Sequence, residues 1–279
     1  MEKYTTHIKA KTGWFDIDLH ELWKYRDLIF LFFKRNYTTR YKQTILGPLW
    51  LIFKPLITVS MYVFVFGNLA GLSTEGAPQF AFYLCSNAIW SYFALCITDT
   101  SQTFTANAAI LGKVYFPRLV MPISSVITGL LDLFIQLGML VIVIIFYIYT
   151  GETISIGPAL ILVPLLLLQT SLLGLGCGII VAACTTKYRD LAVVVTFGVQ
   201  LWMYASPVLY SISAMPENAY RLYMCNPMAP IITVWRYAIL GIGEFPAGFW
   251  GFSWIITMMV LAMGIILFSH VEKTFMDTV

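Results

Sequence analysis

Few side chains in this chain of 279 residues could carry covalent chemistry, and their spacing argues against it. Hydrolysis needs an activated nucleophile or a metal, usually with histidine involved. His7, His20 and His270 lie far apart, outside or at the edge of the apolar runs, and neither His-Glu-x-x-His nor Gly-x-Ser-x-Gly occurs. Cys85, Cys96, Cys177, Cys184 and Cys225 are odd in number and lack metal-type spacing, so they are expected to be packing residues. Gly112-Lys113 lacks both the upstream glycine and the following Ser or Thr of a phosphate-binding loop, so the chain is not expected to hydrolyse ATP by that route. The glycines of Gly174-Leu175-Gly176-Cys177-Gly178 sit in mid-run with no strand before them, which suits close helix packing. The sequence therefore offers no catalytic residue, no metal site and no cofactor site.

Two carboxylates stand apart because they interrupt apolar runs. A charge at mid-bilayer costs about 2.5 to 3.5 kcal/mol even on the mildest scale. Asp99 and Asp132 could form the relay of an ion-coupled secondary transporter of a small molecule, or be paired structurally. Aromatic residues make up 16% of the chain, and Tyr62, Phe64, Phe66, Trp202, Tyr204 and Tyr210 lie deeper than an interfacial belt requires. Such rings could stack on the apolar faces of pyranoses in a sugar conduit, or simply pack and touch lipid.

The elements that must position these residues follow from composition. Hydrophobic residues make up 59% of the chain and charged residues 11%, against about 25% charged in a soluble protein. With a mean hydropathy of +0.80, most of the chain must face lipid. Six uncharged or nearly uncharged runs approach the roughly 20 residues that cross hydrocarbon. They are about 49–69, 77–98 with a continuation towards 106, 119–150, 157–186, 191–210 and 249–269. Lys54 falls near the start of the first, where its amine can snorkel to the interface.

Basic residues set the expected orientation. Of 17 Lys and Arg, nine precede Gly47, and Lys113, Arg118, Lys187, Arg189 and Lys273 follow the second, fourth and sixth runs. Only Arg221 and Arg236 fall in the alternate loops. Both termini are therefore expected in the cytoplasm. No cleaved signal peptide is expected, because the charged first 47 residues hold no short apolar core with a small-residue cleavage site. With a net charge of +3 and basic residues confined to membrane edges, nucleic acid is a poor partner.

The fold class expected is thus an all-α membrane protein: a cytoplasmic segment (1–47), a six-helix transmembrane domain (48–271) and a cytoplasmic tail (272–279). Asp18 and Glu21 form a capping-box-like start, and Leu22, Tyr25, Ile29 and Phe32 recur at helical spacing. Together they predict an amphipathic helix, lying on the membrane surface or packed on protein. Residues 107–118 form a short element ending near Pro117, compact enough to be a docking knob. Within an external region spanning 211–248, Asn226-Pro227 starts a helix and Gly241 stops it. That helix contains Arg236 and is too short to span, so it is expected to re-enter the outer leaflet.

Several strings resemble the ABC-2 type permeases that export polysaccharides. Arg26-Asp27-Leu28 and Arg40-Tyr41-Lys42-Gln43-Thr44 with Leu46-Gly47-Pro48-Leu49-Trp50 resemble the approach to their first span. Gly112-Lys113-Val114-Tyr115-Phe116-Pro117-Arg118 with Met121-Pro122 resembles their coupling region. Tyr188-Arg189-Asp190-Leu191, Asn226-Pro227-Met228-Ala229-Pro230 with Arg236, and Phe275-Met276-Asp277 match in type and order.

The resemblance implies a homodimeric permease of the bacterial inner membrane, not an enzyme, driven by two copies of a separate ATPase that holds the ATP and Mg. The exported molecule would be a glycan on an undecaprenyl-type lipid: O-antigen, capsule or teichoic acid, with O-antigen preferred. Carried over by position, Lys113, Val114, Tyr115, Phe116 and Arg118 would dock the ATPase. Asn226, Pro227 and Arg236 would belong to an external gate. Arg35, Arg40 and Lys42 are candidates for attracting the lipid pyrophosphate or anionic lipid, since interfacial cations favour such head groups.

Overall fold

The computed structural model describes residues 19–42, 44–111, 113–114, 116–152, 157–185 and 190–278. Asp18, Gln43, Gly112, Tyr115, Lys187 and Arg189, which figured in the sequence expectations, lie outside the described residues. Among the described residues there are eleven α-helices and no strand.

The amphipathic segment forms two helices, α1 (Leu19–Lys24) and α2 (Arg26–Tyr41), with a break at Tyr25. Its expected apolar stripe packs on protein. Leu22, Tyr25, Ile29 and Phe32 join Phe104, Phe116, Val120, Met121 and Phe268 in one apolar cluster. The other face leaves Trp23, Phe30 and Leu31 largely exposed.

Next come α3 (Trp50–Tyr62), extended by a π-helical stretch Val63–Leu69, then α4 (Gln79–Ser101), α5 (Thr103–Leu111) and α6 (Val120–Tyr149). They are followed by α7 (Val163–Thr185), α8 (Leu191–Tyr204), α9 (Glu217–Met224), α10 (Met228–Leu240) and α11 (Ala247–Thr278). Among the described residues, five helical stretches are long and apolar enough to cross a membrane: Gly47–Leu69, Gln79–Ser101, Val120–Tyr149, Pro158–Thr185 and Ala247–Ser269. The fifth expected span, from 191 to 210, differs. Its helix ends at Tyr204 and gives way to turns, because the ring of Pro207 disfavours helical geometry at Ser206. At 14 residues α8 rises only about 21 Å, against roughly 30 Å of hydrocarbon.

Helix α4 is the hub of the bundle and is buried along most of its length, packing against α3, α6, α7 and α10. The glycine cluster sets the approach of α7 to both its neighbours. A Cβ on Gly174 would lie 2.6 Å from Cys96 Cβ, and one on Gly178 2.5 Å from Thr100 Cβ, both on α4. On the opposite side a Cβ on Gly176 would lie 2.9 Å from Leu261 Cα of α11. Spacing of small residues thus lets three backbones close in, as the sequence suggested.

Helix α10 begins after Asn226-Pro227 and ends at Gly241, whose φ of 68° terminates it in the left-handed region. It was expected to dip into the outer leaflet. Within the bundle it is enclosed by protein, with nearly every residue buried and with α4, α7 and α11 around it. Trp235 Nε1 donates to Cys85 O at 3.0 Å, fixing it to α4.

Candidate transport cavity

Helices α3, α4, α6 and α8 and the end of α2 line a half-open cavity of about 800 Å³. Its wall combines rings with uncharged polar groups. Trp50, Tyr62, Trp90 and Tyr92 contribute aromatic surface, and Thr58, Asn87, Ser91, Thr98, Gln136 and Gln200 contribute amides and hydroxyls. Asn87 Nδ2 donates to Gln136 Oε1 at 3.2 Å, joining α4 to α6 across the wall. Tyr62 O–H points to Met203 Sδ at 3.5 Å, joining α3 to α8. Rings beside hydrogen-bonding groups are the pairing that a sugar requires, since a pyranose has apolar faces and a polar rim.

A charged cluster stands at one end. Arg40 Nη1 donates to Asp132 Oδ2 at 2.9 Å, and its Nη2 donates to Asp99 Oδ2. Lys54 lines the same end. Two cations and two carboxylates balance, so the cavity carries no formal net charge from these four. The neighbouring Tyr41 phenol is pushed up to about 12, by burial first and by the Asp132 carboxylate second, so it stays a neutral donor. Asp99 and Asp132 are thus engaged by a cation, the structural pairing that the sequence left open beside a relay.

The residues singled out in the sequence are distributed unevenly. Of the six deep aromatics, Tyr62 lines the cavity. Phe66 packs beside it at 6.1 Å, whereas Phe64 points outward because it lies two residues further round the helix. Trp202 sits behind the wall, 5.1 Å from Phe93 and 6.4 Å from Trp90. Tyr204 is exposed, and Tyr210 packs 5.7 Å from Tyr223 while donating to Tyr204 O. Of the three basic residues, Lys42 is exposed, Arg40 is bound to carboxylates, and Arg35 Nη2 donates to Asn107 Oδ1 at 2.6 Å.

In the 107–118 element, Lys113 and Val114 are exposed and Arg118 is half-buried. Phe116 faces inward and is 4% exposed, its ring 5.7 Å from Phe32 of α2. Its ring, next to Phe32 and Met121, anchors this element to the rest of the chain.

At the other end, Asn226 is a hub: its Oδ1 accepts from Trp202 Nε1 at 2.9 Å and from Met228 N at 3.1 Å. Its Nδ2 donates to Ala205 O and Ser206 Oγ, each at 2.9 Å. Arg236 is buried, with Phe82 beneath its guanidinium at 4.5 Å and Tyr210 O accepting at 3.3 Å. Glu75, in the α3–α4 loop, accepts from Ser211 and Ser213 and lies within electrostatic reach of Arg236.

Trp50, Asn87, Trp90, Tyr92 and Gln136 were not foreseen as wall residues. Asn87 and Gln136 carried a signal, being uncharged amides inside apolar runs that need partners in a membrane. The rings carried none, because a Trp in an apolar run looks the same whether it faces lipid, core or cavity.

Comparison with known proteins agrees with this architecture. The family model of the ABC-2 type transporter matches residues 27–240. An O-antigen export system permease protein RfbA from Klebsiella pneumoniae is 30% identical over 211 residues, covering 75% of this chain and 79% of the relative. A protein of that name from Myxococcus xanthus is 27% identical over 223 residues, 78% of this chain and 82% of the relative. The inner membrane transport permease YadH of Escherichia coli (strain K12) is 24% identical over 201 residues, 69% and 76% of the two chains.

Proposed function

Because the chain belongs to the ABC-2 type transporter family, we propose that it is the permease subunit that exports a lipid-linked polysaccharide, O-antigen by preference, across a bacterial inner membrane. The observation that carries the substrate class is the cavity wall, where Trp50, Tyr62, Trp90 and Tyr92 alternate with amides and hydroxyls on the scale of a few sugar rings. The printed names of the Klebsiella and Myxococcus relatives support the same class. Weak, repeated stacking suits a polymer that must slide, since a tight site would stall it.

In this proposal two copies of the chain form the conduit, and exposed rings such as Phe64 and Tyr204 face the second copy. Two copies of a separate ATPase, which hold ATP and Mg, dock at Lys113, Val114, Tyr115 and Arg118. Both termini lie in the cytoplasm, as the basic residues predict. The exposed Lys42 is the cation of choice for an undecaprenyl-type pyrophosphate, because Arg40 is already occupied by carboxylates. Asn226, Pro227 and Arg236 belong to an outward gate.

Co-expression with a candidate ABC ATPase tests the proposal. The purified chain retains that ATPase, deletion of the chain removes glycan from the cell surface, and an ATPase variant unable to hydrolyse ATP has the same phenotype. A chain that retains no ATPase and whose deletion leaves surface glycan intact is not such a permease.

A further inference from the structure

Helix α2 is fixed to the end of α5 and to the α5–α6 connection by two links of different kinds. Phe32 packs 5.7 Å from Phe116, and Arg35 donates to Asn107 Oδ1 at 2.6 Å. Phe32, Asn36 and Arg40 follow at four-residue spacing and so share a face of the helix. At the end of that face Arg40 forks, with Nη1 on Asp132 of α6 and Nη2 on Asp99 of α4. Both carboxylates belong to the cavity wall.

A planar guanidinium holds two acceptors in fixed directions, which an ammonium on a flexible stem does not. The side chains of Arg40, Asp99 and Asp132 are 27%, 31% and 17% exposed, so most of their surface is withdrawn from water. Separating them would leave uncompensated charge in a poorly hydrated place. Displacement of α2 along its axis therefore either drags both carboxylates or breaks both bonds together.

We propose that Arg40 is a positioning residue for transport: by bridging Asp99 and Asp132 it makes α2 a lever that carries displacement of the α5–α6 connection into the cavity wall. The proposal rests on the export function above, in which a separate ATPase pushes on that connection. A merely structural role would need only that neither the guanidinium nor its two carboxylates be left without a partner, so removing all three together would be tolerated. A lever needs the bridge itself.

The test uses the full chain in complex with its ATPase, comparing Arg40→Ala, Arg40→Lys and the neutral triple variant Arg40→Met/Asp99→Asn/Asp132→Asn. The triple variant removes the bridge together with both of its acceptors, leaves only the exposed Lys54 ammonium at that end of the cavity, and decides the question if Arg40→Ala does not assemble. ATP hydrolysis per assembled complex is expected within twofold of wild type in Arg40→Ala and in the triple variant, with glycan export down at least tenfold. Arg40→Lys is expected to export at an intermediate level. Export within twofold of wild type in the triple variant would overturn the proposal. So would hydrolysis and export falling in proportion, or failure of the triple variant to assemble, which would make the bridge a folding requirement. A wild-type chain that retains no ATPase refutes the export function instead, a failure visible before any variant is made.

Discussion

The indole of Trp202 and the amide of Asn226 are joined by a hydrogen bond of 2.9 Å that ties the end of α8 to the start of α10. The same amide accepts from Met228 N and donates to Ala205 O and Ser206 Oγ, so one side chain closes a helix start and a proline-bearing turn. Asn226→Ala strands these partners. A loss of about 2 to 4 kcal/mol is expected, from several hydrogen bonds of which a buried one costs roughly 1 to 3 kcal/mol to leave unmade. The unfolding midpoint in detergent, followed by tryptophan fluorescence, measures it, and an unchanged midpoint would refute the hub.

Gly176 faces the backbone of Leu261, and Gly178 faces Thr100. Gly176→Ala must push a backbone aside, and overpacking of this kind costs about 1 to 3 kcal/mol. Gly138 of α6 has no heavy atom within 4 Å of its absent Cβ, so Gly138→Ala is the matched control. Detergent stability of the two variants side by side should separate them clearly. Equal midpoints would mean that α7 and α11 do not approach as closely as described.

Glu75 holds a φ of 56°, a left-handed conformation that favours glycine, while accepting from Ser211 and Ser213. Glu75→Gly and Glu75→Ala both lose these bonds, but only alanine keeps the strain. The alanine variant is therefore expected to be less stable than the glycine variant by about 1 kcal/mol, the scale of the left-handed penalty for residues with a Cβ. Thermal unfolding of the pair checks the order, and alanine as the more stable of the two would contradict it.

Phe116 and Val114 are two residues apart and differ in kind: one is buried against Phe32, the other exposed. Phe116→Ala opens a cavity between the α5–α6 connection and α2, with an expected cost near 3 kcal/mol, the lower end for buried phenylalanine. Val114→Ala should leave stability within about 0.5 kcal/mol, as is usual for surface positions, and weaken retention of the ATPase. Pull-down of the ATPase alongside unfolding midpoints distinguishes an anchor from a contact.

What the sequence by itself determined is whatever depends on local pattern. Apolar runs place the spanning helices, Gly174, Gly176 and Gly178 announce close packing, and Asn226-Pro227 with Gly241 bound α10. The stripe from Leu22 to Phe32 marks the buried face of α1 and α2. These signals are local because solvent preference and backbone geometry act residue by residue. Tertiary structure alone decided which distant groups meet. Arg40 finds Asp99 and Asp132 across 59 and 92 residues of chain, and Asn87 finds Gln136 across 49. It also decided that α10 is enclosed by protein, that Phe116 turns inward, and that Trp50, Trp90 and Tyr92 rather than Phe64 or Tyr204 line the cavity. In an all-apolar helix lipid and protein interior are equally acceptable neighbours, so hydrophobicity carries no record of which face meets which. Only the packing of α4 among its neighbours supplies that choice.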